Sequence, residues 1–252
     1  MLKMNKKIVF LGAPDGALDD AARERFHMLY LNEHTPKIVE RPEVLQYYAN
    51  KIVVPSQELV DAGWGWGGYD ESGIFAMDEL WCEDGFDFMT LYEDDEQVKV
   101  LGAYDTDEVV VRPTLAQWEV GAKSPWIKRI GLCKCREDEN PRDFHDYWEF
   151  VHAPLALHTH IGAGFYGQQH FHNTLVPNDV AWNGMCILDY WSVDAFRFAH
   201  FSRPGAMKEI QDDCKHFLDK FFSMCGEEYV MKRWDAYIPE IFDGYDGFYR
   251  HQ

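Results

Sequence analysis

The sequence is short of positive charge: 24 Lys and Arg stand against 43 Asp and Glu, a formal net charge of −19. A field of that sign repels phosphate backbones and anionic bilayers, so nucleic acid and membrane surfaces are not expected partners. No apolar run approaches the roughly 20 residues that a membrane span requires. The N-terminal IVFLGA is shorter than the core of a signal peptide and PDGALDD follows at once, so it reads as a first strand and the cytoplasm as the expected compartment. No GxGxxG follows a strand, and there is no phosphate loop and no GxSxG elbow, which leaves nucleotide binding and serine hydrolysis unsupported. The six cysteines (Cys82, Cys133, Cys135, Cys186, Cys214, Cys225) lack both a CxxC pair and scaffold-like spacing. They read as free, buried thiols. Cys133 and Cys135 share a strand face, and a metal or redox pair there is the weaker alternative.

Apolar and aromatic residues are plentiful, enough for a sizeable core in one large domain or two small ones. The chain also repeats itself. RERFHMLYLNEHTP (Arg23 to Pro36) and PRDFHDYWEFVHAP (Pro141 to Pro154) align with a shift of 118: Phe26 meets Phe144, His27 meets His145, His34 meets His152, and Pro36 meets Pro154. Continued without a gap, Tyr47-Tyr48 meets Phe165-Tyr166. At a shift of 110, LWCEDGFDF (from Leu80) meets YWSVDAFRF (from Tyr190). Two units of this length indicate a duplicated domain rather than a solenoid, with boundaries at 1–122 and 123–252, the second carrying an aromatic C-terminal tail.

In the second copy, Ile127 to Cys135 reads as a strand. Asn140-Pro141 starts a helix with a capping side chain and a proline at its first position. Phe144, Tyr147, Trp148 and Val151 form one apolar face, and Pro154 is expected to end the helix. Gly164 to His172 and Asn183 to Trp191 read as strands. Asp194 opens a helix, broken near Arg203-Pro204-Gly205 and resuming to about Met224, and Glu228 to Tyr237 is the last strand. The first copy follows the same order: strand Ile8 to Gly12, helix from about Asp19 to Glu33, strands Tyr47 to Val54 and Gly73 to Trp81, a weaker helix from near Asp84, and a closing strand from Val109 to Arg112. The expected fold class is α+β: two tandem ferredoxin-like βαββαβ repeats, each with one sheet face that needs a partner, closing into a pseudo-dimeric barrel.

FHDYWEFVHAPL, with FSRPGAMKEIQDDCKHFLDKF further on (Phe201 to Phe221), resembles the EthD-like branch of the dimeric α/β-barrel superfamily. The resemblance covers nearly the whole second copy and, more weakly, the first. It implies a cavity in the barrel, between sheet and helices. The activities it implies are cofactor-free cyclase, dehydratase, decarboxylase, isomerase, lyase or monooxygenase chemistry on aromatic or polyketide-like compounds; more distant relatives bind haem. The chain departs from the usual pattern in being tandem, and Leu29 and Leu31 flank Tyr30 where the second copy has its aromatic pair.

Histidine titrates near neutrality, so His152 reads either as an acid or base or as a helix-capping side chain, and His34 has the same two readings. His27 and His145 read as structural. Tyr166, Gln168, His170 and His172 alternate on one strand face. That face is expected to point into the barrel cavity, with Phe165, Gly167 and Phe171 against the helices. The first copy offers Tyr48, Asn50, Ile52 and Val54 at the matching positions, so one equipped and one supporting half are expected. The expected catalytic residues are His170, His172, His152 and Tyr166, and the expected substrate-binding residues Gln168, Tyr48, His34, Trp64, Trp66 and Trp148. Three or more of His152, His158, His160, His170 and His172 converging would permit iron, copper or zinc. The spacing is no metal motif, so no metal and no cofactor are expected. DAGWGWGGYD (Asp61 to Asp70) reads as a lid over a planar substrate or an ordinary packed loop, and the aromatic stretch Tyr237 to Gln252 as a cover for a barrel end or a subunit interface. The expected function is a lyase, dehydratase, decarboxylase or isomerase for a small hydrophobic, oxygenated aromatic compound. The alternatives are an oxygenase using haem, a metal or no cofactor, and a non-catalytic carrier. A homodimer is left open.

Overall fold

The computed structural model describes residues 4–65, 72–114, 116–234 and the backbone of 240–241. Trp66, Tyr69 and most of the aromatic tail lie outside the described residues. In chain order the elements are β1 (Met4–Gly12), α1 (Asp20–Leu29), a π turn (Tyr30–His34), α2 (Thr35–Val39), β2 (Val44–Val53), α3 (Gln57–Asp61), β3 (Ala76–Glu83), a 3-10 turn (Phe88–Leu91) and β4 (Lys99–Arg112). They continue with β5 (Ile127–Cys135), α4 (Pro141–Tyr147), a second π turn (Trp148–His152), α5 (Ala153–Thr159), β6 (Ala163–Val176), β7 (Gly184–Tyr190), α6 (Val193–Ala199), α7 (Ala206–Phe217), β8 (Leu218–Lys232) and β9 (Glu240–Ile241). No helix among the described residues is long and apolar enough to cross a membrane.

The strand order β1-β3-β2-β8-β5-β7-β6-β4, with β4 returning to β1, closes an eight-stranded antiparallel barrel; β9 adds to β4 in parallel. Two seams join the halves: β2 pairs with β8, and β4 pairs with β6. Full closure removes the sheet edges that each half would otherwise expose.

Local chemistry accounts for the helix starts. Asp19 accepts from the Ala22 amide at 2.8 Å, and Asn140 caps both Arg142 and Asp143. Pro154 does not end its helix. A π turn intervenes, in which the Ala153 amide bonds the Trp148 carbonyl, and the helix then runs on to Thr159 with Pro154 in its first turn, where the missing N–H is not needed. The first half repeats the device, with Thr35 bonded to Tyr30 and Pro36 just beyond. Each π turn ends on a histidine, His34 or His152, so neither is a helix C-cap. The helix expected from Asp84 is only the 3-10 turn at Phe88–Leu91, and the first half's closing strand starts earlier, at Lys99. The last strand also starts earlier than its sequence suggests: Leu218–Met224 belong to β8, paired with β5, and not to the preceding helix.

A closed sheet has two faces, and successive residues alternate between them. On β6, Phe171 stacks on Tyr104 at 4.2 Å in a lumen core with Ile8, Phe10, Ile130 and Met224. Tyr166 lies in the opposite core, under the helices, with Phe144 and Trp148. Phe165, Gly167, Gln169 and Phe171 therefore face the lumen, and Tyr166, Gln168 and His170 face the helices, the reverse of the expected assignment. The gapless alignment is also off by one residue: the helix-facing tyrosines are Tyr47 and Tyr166, separated by 119 rather than 118. A one-residue slip exchanges every side chain between the faces of a strand.

The lumen carries a buried charge network. Lys6 reaches Glu79 (2.9 Å) and Glu108 (2.6 Å), and Lys128 reaches Glu79 (3.1 Å) and Glu228. Asn50 and Gln169 donate to Glu79 and Glu108. Burial alone would raise the pKa of Glu79, but the two ammoniums outweigh it and hold the carboxyl down at about 2. Removing one partner of such a network leaves uncompensated charge at low dielectric. Lys128→Met should therefore lose about 3–5 kcal/mol of stability. Urea unfolding measures this, and a variant within about 1 kcal/mol of the parent would show the network to be energetically idle.

Candidate active site between sheet and helices

The second half holds a cavity of about 450 Å³ between its sheet and its helices. Its walls are largely apolar, from Trp148, Tyr166, Leu188, Phe201, Ile210 and Phe217. Into them the fold sets a few polar groups, the usual composition of a small-molecule site. His152 enters from the π turn, where the wider helical turn directs its side chain at the sheet layer; it is 8% exposed. Its Nδ1 bonds Asp213 Oδ2 on α7 at 2.6 Å, and Tyr147 donates to the other Asp213 oxygen at 2.8 Å. Burial pushes the Asp213 pKa up, but the hydrogen bonds from His152 and Tyr147 prevail and hold it below the usual carboxylate range. With Nδ1 committed to a carboxylate, Nε2 is the nitrogen left for other partners.

Arg129 reaches the same cavity from β5. Its Nε donates to Ser223 Oγ (3.1 Å) and its Nη1 to His200 Nε2 (3.2 Å). It has no carboxylate partner among the described residues. Because arginine can only donate, His200 Nε2 must accept, so His200 Nδ1 carries the proton that it gives to Tyr190 Oη at 2.6 Å. Burial keeps His200 neutral, lowering its pKa far below the ordinary value. His160 also lines the cavity. It stacks on His200 with ring centres 4.3 Å apart, bonds the His200 carbonyl, and is lowered by burial to about 3.

The structure brings His152, Tyr166 and Trp148 together on this cavity. Gln168 and His170 lie beneath the helix instead. Gln168 donates to the Trp148 carbonyl (3.2 Å), and His170 bonds Gln168 Oε1 and stacks between His145 and Trp148. Burial lowers the His170 pKa to about 3. His172 is out on the surface, paired with Asp107 at 3.0 Å. The expectation that these four alternating residues face the barrel interior is thus corrected: a helix covers three of them and solvent reaches the fourth. Tyr48 faces the lumen against Trp81. Trp64 is buried between the halves, on Phe196 and 5.9 Å from the Arg129 guanidinium. Among the described residues no group of three or more His, Cys, Asp or Glu has metal-binding geometry.

In the first half the same layer is filled by a polar knot. Asp78, fully buried, accepts from Tyr30 (2.5 Å), Tyr47 (2.7 Å), Tyr92 (2.8 Å) and His34 (3.1 Å), and His34 also bonds Asp95 at 2.8 Å. His34, placed like His152, is 0% exposed. Sequence reasoning missed Arg129, Asp213, Tyr147 and His200. Arg129 in a strand of alternating charge carried a weak signal, while Asp213 on α7 had none, since its partner lies 61 residues away.

Residues 136–220 match the EthD domain family. No curated protein matches the chain's sequence. An anthrone oxidase-like protein of solved structure shares the fold, with TM-score 0.55, 10% identity, and 93% of this chain and 96% of that one covered. A candidate monooxygenase from Lactobacillus acidophilus NCFM aligns with TM-score 0.48 and 10% identity, over 91% of this chain and 97% of that one.

The His34 knot makes stability depend on pH. Burial lowers the proton affinity of the imidazole, but the hydrogen bonds and charges of Asp78 and Asp95 outweigh it and raise the pKa to about 9, against about 6.5 in an unfolded chain. This contribution is complete below pH 6.5 and is lost as pH rises through about 9. Tm should fall over that interval, and His34→Gln should flatten the fall; equal slopes would count against a charged His34. The EthD match covers residues 136–220, the stretch that carries the helices over the second half's cavity in a chain that closes an antiparallel barrel.

Proposed function

We propose that the protein is an enzyme that transfers protons on a small hydrophobic, oxygenated aromatic compound in the cavity between the second half's sheet and helices. On this reading residues 1–122 and 123–252 are tandem ferredoxin-like units, the first supporting and the second reactive. The observation that carries it is that a carboxylate-anchored imidazole and an arginine with no carboxylate partner among the described residues share a single apolar cavity.

The roles follow from the chemistry. Asp213 fixes the ring of His152 and stabilises the imidazolium when Nε2 takes a proton from an acidic C–H or O–H of the substrate. Arg129 stabilises the enolate or phenolate oxygen that results, in surroundings poor in water. Trp148, Phe201 and Phe217 supply flat apolar walls for the ring. Tyr166 hydrogen-bonds an oxygen of the substrate, and its phenol stays protonated because burial raises its pKa well above the ordinary value. Dehydration, decarboxylation and isomerisation can each begin with this proton transfer and require no cofactor.

A second reading, oxygenation, shares that first step, since a deprotonated hydroxyaromatic is the electron-rich form that reacts with O₂. The anthrone oxidase-like neighbour is the observation that favours it. A panel of hydroxylated aromatic ketones in D₂O separates the readings. Deuterium uptake at the acidic carbon without oxygen consumption supports proton transfer alone, and stoichiometric O₂ uptake supports oxygenation. His152→Ala should slow either by about 10²–10⁴-fold. Arg129→Met should slow turnover strongly, and His172→Ala should leave it unchanged. Full activity in His152→Ala would remove the imidazole from the mechanism.

A further inference from the structure

The barrel lumen contains a cavity of its own, about 430 Å³, on the opposite side of the sheet from the site above. Tyr48, Trp81, Trp118, Trp126 and Phe165 form its aromatic walls. Its polar wall is the charge network described with the fold, joined by Asp189 from β7. Asp189 is 4% exposed, and its Oδ1 has no hydrogen-bond partner among the described residues. Buried carboxylate oxygens are ordinarily satisfied, and the other carboxylates of the network already share Lys6 and Lys128.

We propose that this lumen is a second binding site, for a small organic cation bearing a substituted ammonium group, with Asp189 as counter-ion and the tryptophans and tyrosine as its cage. Three observations point to that class of ligand. Among the described residues the cluster is short of cations: Glu79, Glu108, Glu228 and Asp189 share the ammoniums of Lys6 and Lys128, and the Arg233 guanidinium on the same cavity donates to the Trp118 carbonyl rather than to a carboxylate. The walls already accept a cation, since Lys6 Nζ sits 4.2 Å from the centre of the Trp81 ring, and indole and phenol faces attract alkylammonium groups. A bare metal ion is a poor fit, because no three metal donors converge among the described residues, whereas an anion would meet carboxylates.

Protonation of Asp189 offsets the surplus charge. Burial, with Glu228 and Glu79 nearby, raises the Asp189 pKa to about 8 even though Lys128 draws it down. A bound cation replaces that proton. Affinity for a permanently charged ligand should then rise about tenfold from pH 6 to pH 7. The charged groups facing Asp189 are Lys128 on β5, Glu79 on β3 and Glu228 on β8, with Glu108 on β4 further along the network.

Benzyltrimethylammonium, whose charge does not titrate, is the probe, with benzyl alcohol and phenylacetate as neutral and anionic controls. Quenching of tryptophan fluorescence in the intact protein, backed by calorimetry, reads binding. The expected result is saturable one-to-one binding of the cation, at least tenfold tighter than either control, and weakened at least tenfold by Asp189→Asn. Trp118→Ala, a partly exposed wall residue, should also weaken it if Asp189→Asn fails to fold, and His152→Ala should leave it untouched. Equal binding of the three probes, no binding, a flat pH profile, or undiminished affinity in folded Asp189→Asn would overturn the proposal. Loss of binding in His152→Ala would place the cation in the helix-side cavity instead.

Discussion

Closure of the sheet is the constraint on which everything else rests. The β2–β8 and β4–β6 seams tie the halves into one ring, and from then on every strand residue must belong either to the lumen or to the helix layer. Two interiors result, with opposite chemistry. The lumen concentrates paired carboxylates and lysines behind an aromatic mouth. The helix layer is apolar and admits polar groups singly, each held by a named partner.

The helix layer shows how the two halves differ. Both halves place a histidine at the end of a π turn, followed two residues later by proline. In the first half that histidine is locked into a carboxylate and tyrosine knot that fills the space. In the second half a single aspartate anchors it, and the surrounding side chains leave room for a ligand. The same backbone device yields a packing centre in one half and a cavity-lining imidazole in the other, according to whether β3 offers Asp78 or β7 offers the apolar Leu188.

Much of this was legible in the sequence. The strand and helix order of the second half and the cap at Asn140 follow from local patterns that the structure retains. The errors have physical reasons. Pro154 signals a helix end only in a regular α-helix, and a π turn lets the chain pass through it. The inward face of β6 was inverted because its apolar side, Phe165, Gly167 and Phe171, was assigned to helix packing, whereas its phenylalanines pack in an aromatic and apolar lumen. A run of tyrosine, glutamine and histidine looks solvent-facing or cavity-facing, yet it is buried beneath Trp148, where the Trp148 carbonyl and hydrogen bonds among Tyr166, Gln168 and His170 engage its polar atoms. Asp213 and Arg129 act through contacts distant in sequence, which no local pattern reports.

The most direct test of the central claim is a crystal structure of the protein soaked with an acidic hydroxyaromatic ketone. The predicted result is the ring between Trp148 and Phe217, its oxygen on the Arg129 guanidinium and its acidic position within hydrogen-bonding reach of His152 Nε2. The same compound bound in the lumen or on the surface, with the helix-side cavity empty, would contradict the assignment.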